Sequence, residues 1–167
     1  QVPSFNHIQV RRTTVKTAAW LLSPLSILKI TLAVGLIVCA VFLMDGRLQW
    51  WPYSILFCYS LLMTLYTLLT LIAHFFQISD IRHNAFVTME LIVSGVACFL
   101  CLFSFLFLCW DEMRMQDGYW RHHSMLPPRN VTQLGWMKRV AVVMGAFLIN
   151  ATLFLFTFLR VRKDGFD

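Results

Sequence analysis

Few side chains in this sequence could do chemistry where they stand. Glu90 is a single carboxylate near the start of an apolar run, in FVTMELIVSG. Lys29 lies at a similar depth in SPLSILKITL, and His74 lies near the end of another apolar run, in LIAHFFQ. An ionisable group inside lipid is costly, so Glu90 reads as catalytic, as part of an ion path or as half of a structural pair. Three such groups at one level, on three helices, can converge. They could form a Lys29–Glu90 ion pair with His74 beside it, leave Lys29 snorkelling to the headgroups, or start a proton relay. A relay needs more acids along its path, and the second, third and fourth runs hold none deeper than Glu90. The group is therefore expected to be structural.

Other polar positions carry weaker signals. Asn150 is the deepest strongly polar side chain and is expected to bridge helices by hydrogen bonding or to meet a partner within the membrane. His122-His123 has no third ligand at a recognisable spacing; neighbouring histidines in a polar loop are expected to be solvated. Of the 5 cysteines, Cys39, Cys58, Cys98 and Cys101 lie inside apolar runs and Cys109 at the end of one. That placement argues for packing residues, not for a disulfide framework or zinc site. No nucleophile–base arrangement, phosphate loop or metal motif is present, so no catalytic residue, metal or cofactor is expected.

The elements that must position these residues are long. The 167 residues are 59% hydrophobic and 13% charged, with a mean hydropathy of +0.69. That excess is collected in blocks, as in membrane proteins. Four runs, at about 24–44, 53–76, 86–110 and 140–159, approach or exceed the roughly 20 apolar residues that cross a hydrocarbon core. Lipid tolerates no unpaired backbone, so all are expected to be helices. Ser23-Pro24 reads as a helix start, Asp45-Gly46 as a break and Pro52 as the next start. Trp20 marks one interface and Trp50, Trp51, Trp110 and Trp136 the other. The chain opens at Gln1 without a methionine, as expected of a fragment or a renumbered piece. Its first run lacks a signal-peptide pattern and is expected to be a true span.

Short connections at 44–52 and 77–85 force antiparallel neighbours, so the expected fold is an all-α integral membrane bundle, up-down-up-down. Arg11, Arg12 and Lys16 at one end of the chain, and Arg160, Arg162 and Lys163 at the other, point both termini to the cytoplasm. Residues 1–22 would then be a basic cytoplasmic segment, 23–163 the bundle with an outer loop at 111–139, and 164–167 a cytoplasmic tail. The outer loop is itself basic, which weakens the asymmetry. It holds a candidate glycosylation site at Asn130 and a candidate contact knob at Tyr119 and Trp120, followed by the stiff turn LPPR. With a net charge of +6 placed beside apolar runs, an anionic lipid surface is the expected partner, and nucleic acid is not.

Small and weakly polar residues recur at helical spacing. They are Thr31, Gly35 and Cys39; Ser60, Thr64, Thr67 and His74; Ser94, Gly95, Cys98 and Cys101; and Ala141, Gly145, Ala146 and Asn150. Such rows let helices approach closely. They are expected to form the interior seam of one bundle, or in part to dock a partner's helices.

The first run with its lead, WLLSPLSILKITLAVGLIVCAVFLM, resembles the opening of a MARVEL-domain protein. The third, MELIVSGVACFLCLFSFLFL, with its early acid and small-residue seam, is similar too. The resemblance spans roughly Trp20 to Lys163. The outer loop departs from the occludin type in lacking its cysteine pair, and DGRLQWWPY lacks the claudin signature. Membership would imply no catalysis. It would imply membrane apposition, vesicle traffic, cell junctions or accompaniment of another membrane protein, at the plasma membrane or on secretory and endocytic vesicles. The leading expectation is a non-enzymatic tetraspan organiser acting through lateral contact with lipid, itself or another integral membrane protein. The alternatives are an auxiliary subunit of a channel, receptor or transporter, and a small transporter or membrane enzyme.

Overall fold

The computed structural model describes residues 22–76, 83–120, 123 and 131–164. Within them the chain forms four helices and no strand: α1 (Pro24–Leu43), α2 (Trp51–Phe75), α3 (His83–Gln116) and α4 (Gln133–Asp164). All four are long and apolar enough to cross a membrane. Trp20, the basic residues 11–16, the turn at 77–82, His122, LPPR, Asn130 and the tail after 164 lie outside the described residues.

Local chemistry sets the helix limits. Ser23 caps α1 by accepting a hydrogen bond from the Ser26 amide at 3.3 Å, and Pro24 fills a first-turn position where no amide is needed. Pro52 does the same for α2. The third helix runs past Trp110, because Asp111 to Gln116 continue its pattern. It stops where Gly118 takes a φ of 80° and the amides of Gly118 and Tyr119 close back on Met115 and Arg114, at 3.1 and 2.9 Å. This is a Schellman end, and glycine fits its left-handed position without a Cβ penalty. Thr132 caps α4, its hydroxyl accepting from the Gly135 amide at 3.2 Å, so that helix begins well before Val140. Two elements expected to be outer loop are therefore helical turns, at 111–116 and 133–139.

Inward positions alternate by three and four residues. In α3 they are Glu90, Ser94, Ala97, Cys101, Ser104, Leu108, Asp111 and Met115; in α4, Trp136, Val140, Val143, Phe147, Asn150, Phe154, Thr157 and Val161. That spacing keeps one stripe of each helix on its neighbours, as in coiled-coil packing. Helix α1 packs on α2 and α4, and α3 packs on α4. The outward stripes are as apolar as the core: Leu62, Phe99 and Phe156 are 66%, 67% and 61% exposed. A water-facing surface of that kind would aggregate, whereas in lipid it is the expected exterior.

Much of the small-residue row lies inside, though not all of it. Cys39, Ser60, Thr64, Thr67, His74, Ser94 and Cys101 are buried, while Gly35, Gly95, Cys98 and Ala146 are half-buried. Thr31, Ala141 and Gly145 turn outward. In α4 the bulky residues Val143 and Phe147 hold the inward positions, and this rotates Gly145 away from the bundle.

Candidate functional site: two buried polar clusters

The first cluster joins three helices. Lys29 Nζ donates to Glu90 Oε1 at 2.6 Å and to Thr70 Oγ1 at 2.9 Å. Tyr66 donates its hydroxyl to the other carboxylate oxygen, Oε2, at 2.8 Å. Lys29 and Glu90 are each only 2% exposed. Burial removes solvation from both charges, and only close pairing with extra hydrogen bonds offsets that loss. Here Lys29 comes from near the start of α1, Tyr66 and Thr70 from the second half of α2, and Glu90 from near the start of α3. Lys29 does not snorkel. His74 is buried one turn beyond Thr70, with its ring edge-on to Phe86 at 5.2 Å.

The second cluster was not legible as such in the sequence. Tyr53 donates its hydroxyl to Asp111 Oδ2, and His123 Nε2 lies 3.1 Å from Asp111 Oδ1. The Asp111 and His123 side chains are fully buried. Trp50 closes over the group, with its ring 5.2 Å from Tyr53 and 4.9 Å from His123. Trp136 packs on Tyr53 at 5.4 Å. The polar loop around His123 predicts a solvated ring. It is instead folded under Trp50 and Trp120, because Asp111 supplies a partner inside the bundle. Tyr119 stays exposed, and Trp120 turns back, 6.1 Å from His123.

Between the clusters lies Asn150, fully buried. Its carboxamide fills the space above Gly35, where an added Cβ would stand 2.5 Å from Oδ1. Neither of its polar atoms has a hydrogen-bond partner among the described residues. The expected interhelical bridge is therefore a close fit against the α1 backbone. Gly46 plays a like part under Trp136, whose ring would lie 2.0 Å from an added Cβ. Arg139 and Asp45 pair near the surface beside it.

The hydroxyls of Ser60, Thr64, Thr67, Ser104 and Thr157 donate to carbonyls of their own helices, four residues back. All 5 cysteines are free thiols. Among the described residues no three His, Cys, Asp or Glu side chains gather in a way that could hold a metal ion.

No protein-family model matches the chain, and no curated protein or solved structure does.

Proposed function

We propose that this is a non-enzymatic tetraspan membrane protein that organises lipid and neighbouring proteins by lateral contact, in the manner of a MARVEL-domain protein. Its helices run up-down-up-down with both termini in the cytoplasm. The order of contacts supports that topology. Asp45, just past α1, meets Arg139, near the start of α4. Farther along α4, Val143 meets Cys39, and Asn150 meets Gly35.

One observation carries the functional reading. The buried Lys29–Glu90 pair is tied at both ends to α2. A pair held by its own hydrogen bonds fixes which helices meet and in which register. The bundle is then a rigid body, and its work falls to its outward surfaces. These are the apolar faces, the loop around Tyr119 and the basic end of α4 at Arg160, Arg162 and Lys163. Plasma membrane or secretory and endocytic vesicles suit such a role.

A second reading has its own support. Gly145 faces outward with open space where a side chain would be, and Ala141 stands one turn away. Small residues on an outer face allow close approach of a foreign helix. That favours an accessory subunit of a channel, receptor or transporter. Purification from native membrane in mild detergent, with mass spectrometry of what co-elutes, separates the two. The organiser reading expects self-oligomers and lipid. A channel, receptor or transporter at fixed stoichiometry, lost on Gly145→Leu, would replace it with the accessory reading.

A further inference from the structure

Helices α2 and α3 are joined mainly through side-chain bridges: Tyr66 to Glu90, Tyr59 to the Ala97 carbonyl at 3.2 Å, and Tyr53 to Asp111. Toward the Asp111 end they leave a cleft of about 310 Å3 that opens sideways. Its walls include Trp50, Trp51, Ile55, Phe103, Phe107 and Trp110, with no polar surface among its lining. Trp51, Ile55 and Phe103 are exposed along it, at 69%, 54% and 60%. In a chain whose helices cross a bilayer, that opening faces lipid tails.

The cleft also has a charged head. Trp110 lines it, and the Arg114 guanidinium lies 5.0 Å from the centre of the Trp110 ring, one helical turn farther along α3. Tyr119 holds the same guanidinium from its other neighbour, 5.8 Å from its ring centre. No carboxylate among the described residues pairs with Arg114. A guanidinium fixed by aromatic rings, with its donors unclaimed by acid, suits a phosphate. Tryptophans at this level are those of a headgroup boundary.

We propose that this cleft is a binding site for one glycerophospholipid, an acyl chain lying in the slot and the phosphate resting on Arg114. The dimensions agree. From Phe103 to Trp110 the slot runs roughly 10 Å at 1.5 Å per residue. A methylene takes about the volume of a water, roughly 30 Å3, so the cleft holds on the order of ten chain carbons. The phosphate then meets Arg114 where the apolar lining ends. The site is built on α2 and α3 and on Trp50 and Tyr119, which flank them. It stands whether the protein acts as an organiser or as an accessory subunit.

The test uses the full chain in nanodiscs containing a phosphatidylcholine with a photoreactive diazirine midway along one acyl chain. Cross-linked peptides are mapped by mass spectrometry. Labelling is expected to concentrate on α2 near Trp51 and Ile55 and on α3 near Phe103 and Phe107. Arg114→Gln, at the end of α3, should reduce that labelling at least fivefold, and Ile55→Trp should fill the slot and remove it. Labelling spread evenly over the outward faces of all four helices would mean annular lipid only and would overturn the proposal. So would undiminished labelling of Arg114→Gln, or a diazirine-bearing sterol that occupies the slot and excludes the phospholipid.

Discussion

Glu90 shows how much a single residue can decide. It accepts from Lys29 and Tyr66, and Lys29 also reaches Thr70, so one carboxylate ties three helices. Removing one partner leaves the other charge buried and unpaired, at a cost of about 3–5 kcal/mol. Glu90→Ala should therefore lower the thermal unfolding midpoint in detergent sharply. The double variant Lys29→Met with Glu90→Leu should lose less than either single change, because apolar pairs of similar size often replace buried ion pairs without loss. Gly35 and Asn150 form a second testable pair. Gly35→Ala drives a methyl into the Asn150 carboxamide, and overpacking of that kind costs about 1–3 kcal/mol. Adding Asn150→Ala should restore most of the loss, a non-additivity that unfolding of the four variants would read directly. The Lys29–Glu90 pair was readable in the sequence, because charges are rare in the apolar runs and their depths can be counted from the run ends. Tyr66 and Thr70 were not, since a tyrosine or threonine in a span has many uses.

At the scale of elements, hydropathy finds apolar stretches and misses helix that continues beyond them. The Asp111 cluster was hidden for that reason. Asp111 and His123 look like loop residues until α3 is extended through its last turns to the Schellman end at Gly118. A signal was nevertheless present. The three-and-four alternation from Glu90 through Ser94, Ala97, Cys101, Ser104 and Leu108 lands on Asp111 and then Met115. Followed past the apolar run, it marks Asp111 as inward and calls for a partner. The start of α4 is equally local. Thr132→Ala removes the cap and should cost about 1 kcal/mol. Hydrogen exchange should quicken in the first turn after Gln133 and stay unchanged in α1 and α2. Exchange that rises throughout the bundle would mean that Thr132 does more than cap.

Across the whole molecule the exterior is as apolar as the core, and the buried polar groups are gathered into a few clusters. Leu32, Leu36, Val143 and Phe147 pack inside beside the buried Lys29–Glu90 and Tyr53–Asp111–His123 clusters, and the outward faces of the helices are mostly Leu, Phe, Ile and Val. Composition alone announces this architecture, since lipid leaves helices no alternative. It cannot say which outward stripe meets a partner, because lipid and a partner's helix ask for the same residues. The proposed topology has a direct check. In a variant lacking the native cysteines, Tyr119→Cys should react with a membrane-impermeant maleimide from outside the cell, and Arg162→Cys only after permeabilisation. The reverse pattern would invert the bundle, and reaction of both from one side would break the up-down order.

In the proposed function the ionisable groups inside the bundle fasten helices and carry nothing across. The most direct test is ion and proton flux through purified wild-type protein in liposomes, beside Glu90→Gln and the Lys29→Met, Glu90→Leu double variant. All three should leak no faster than protein-free liposomes, with Glu90→Gln less heat-stable than the other two. A wild-type flux that Glu90→Gln abolishes, with folding and oligomeric state intact, would contradict the account and make Glu90 part of a path.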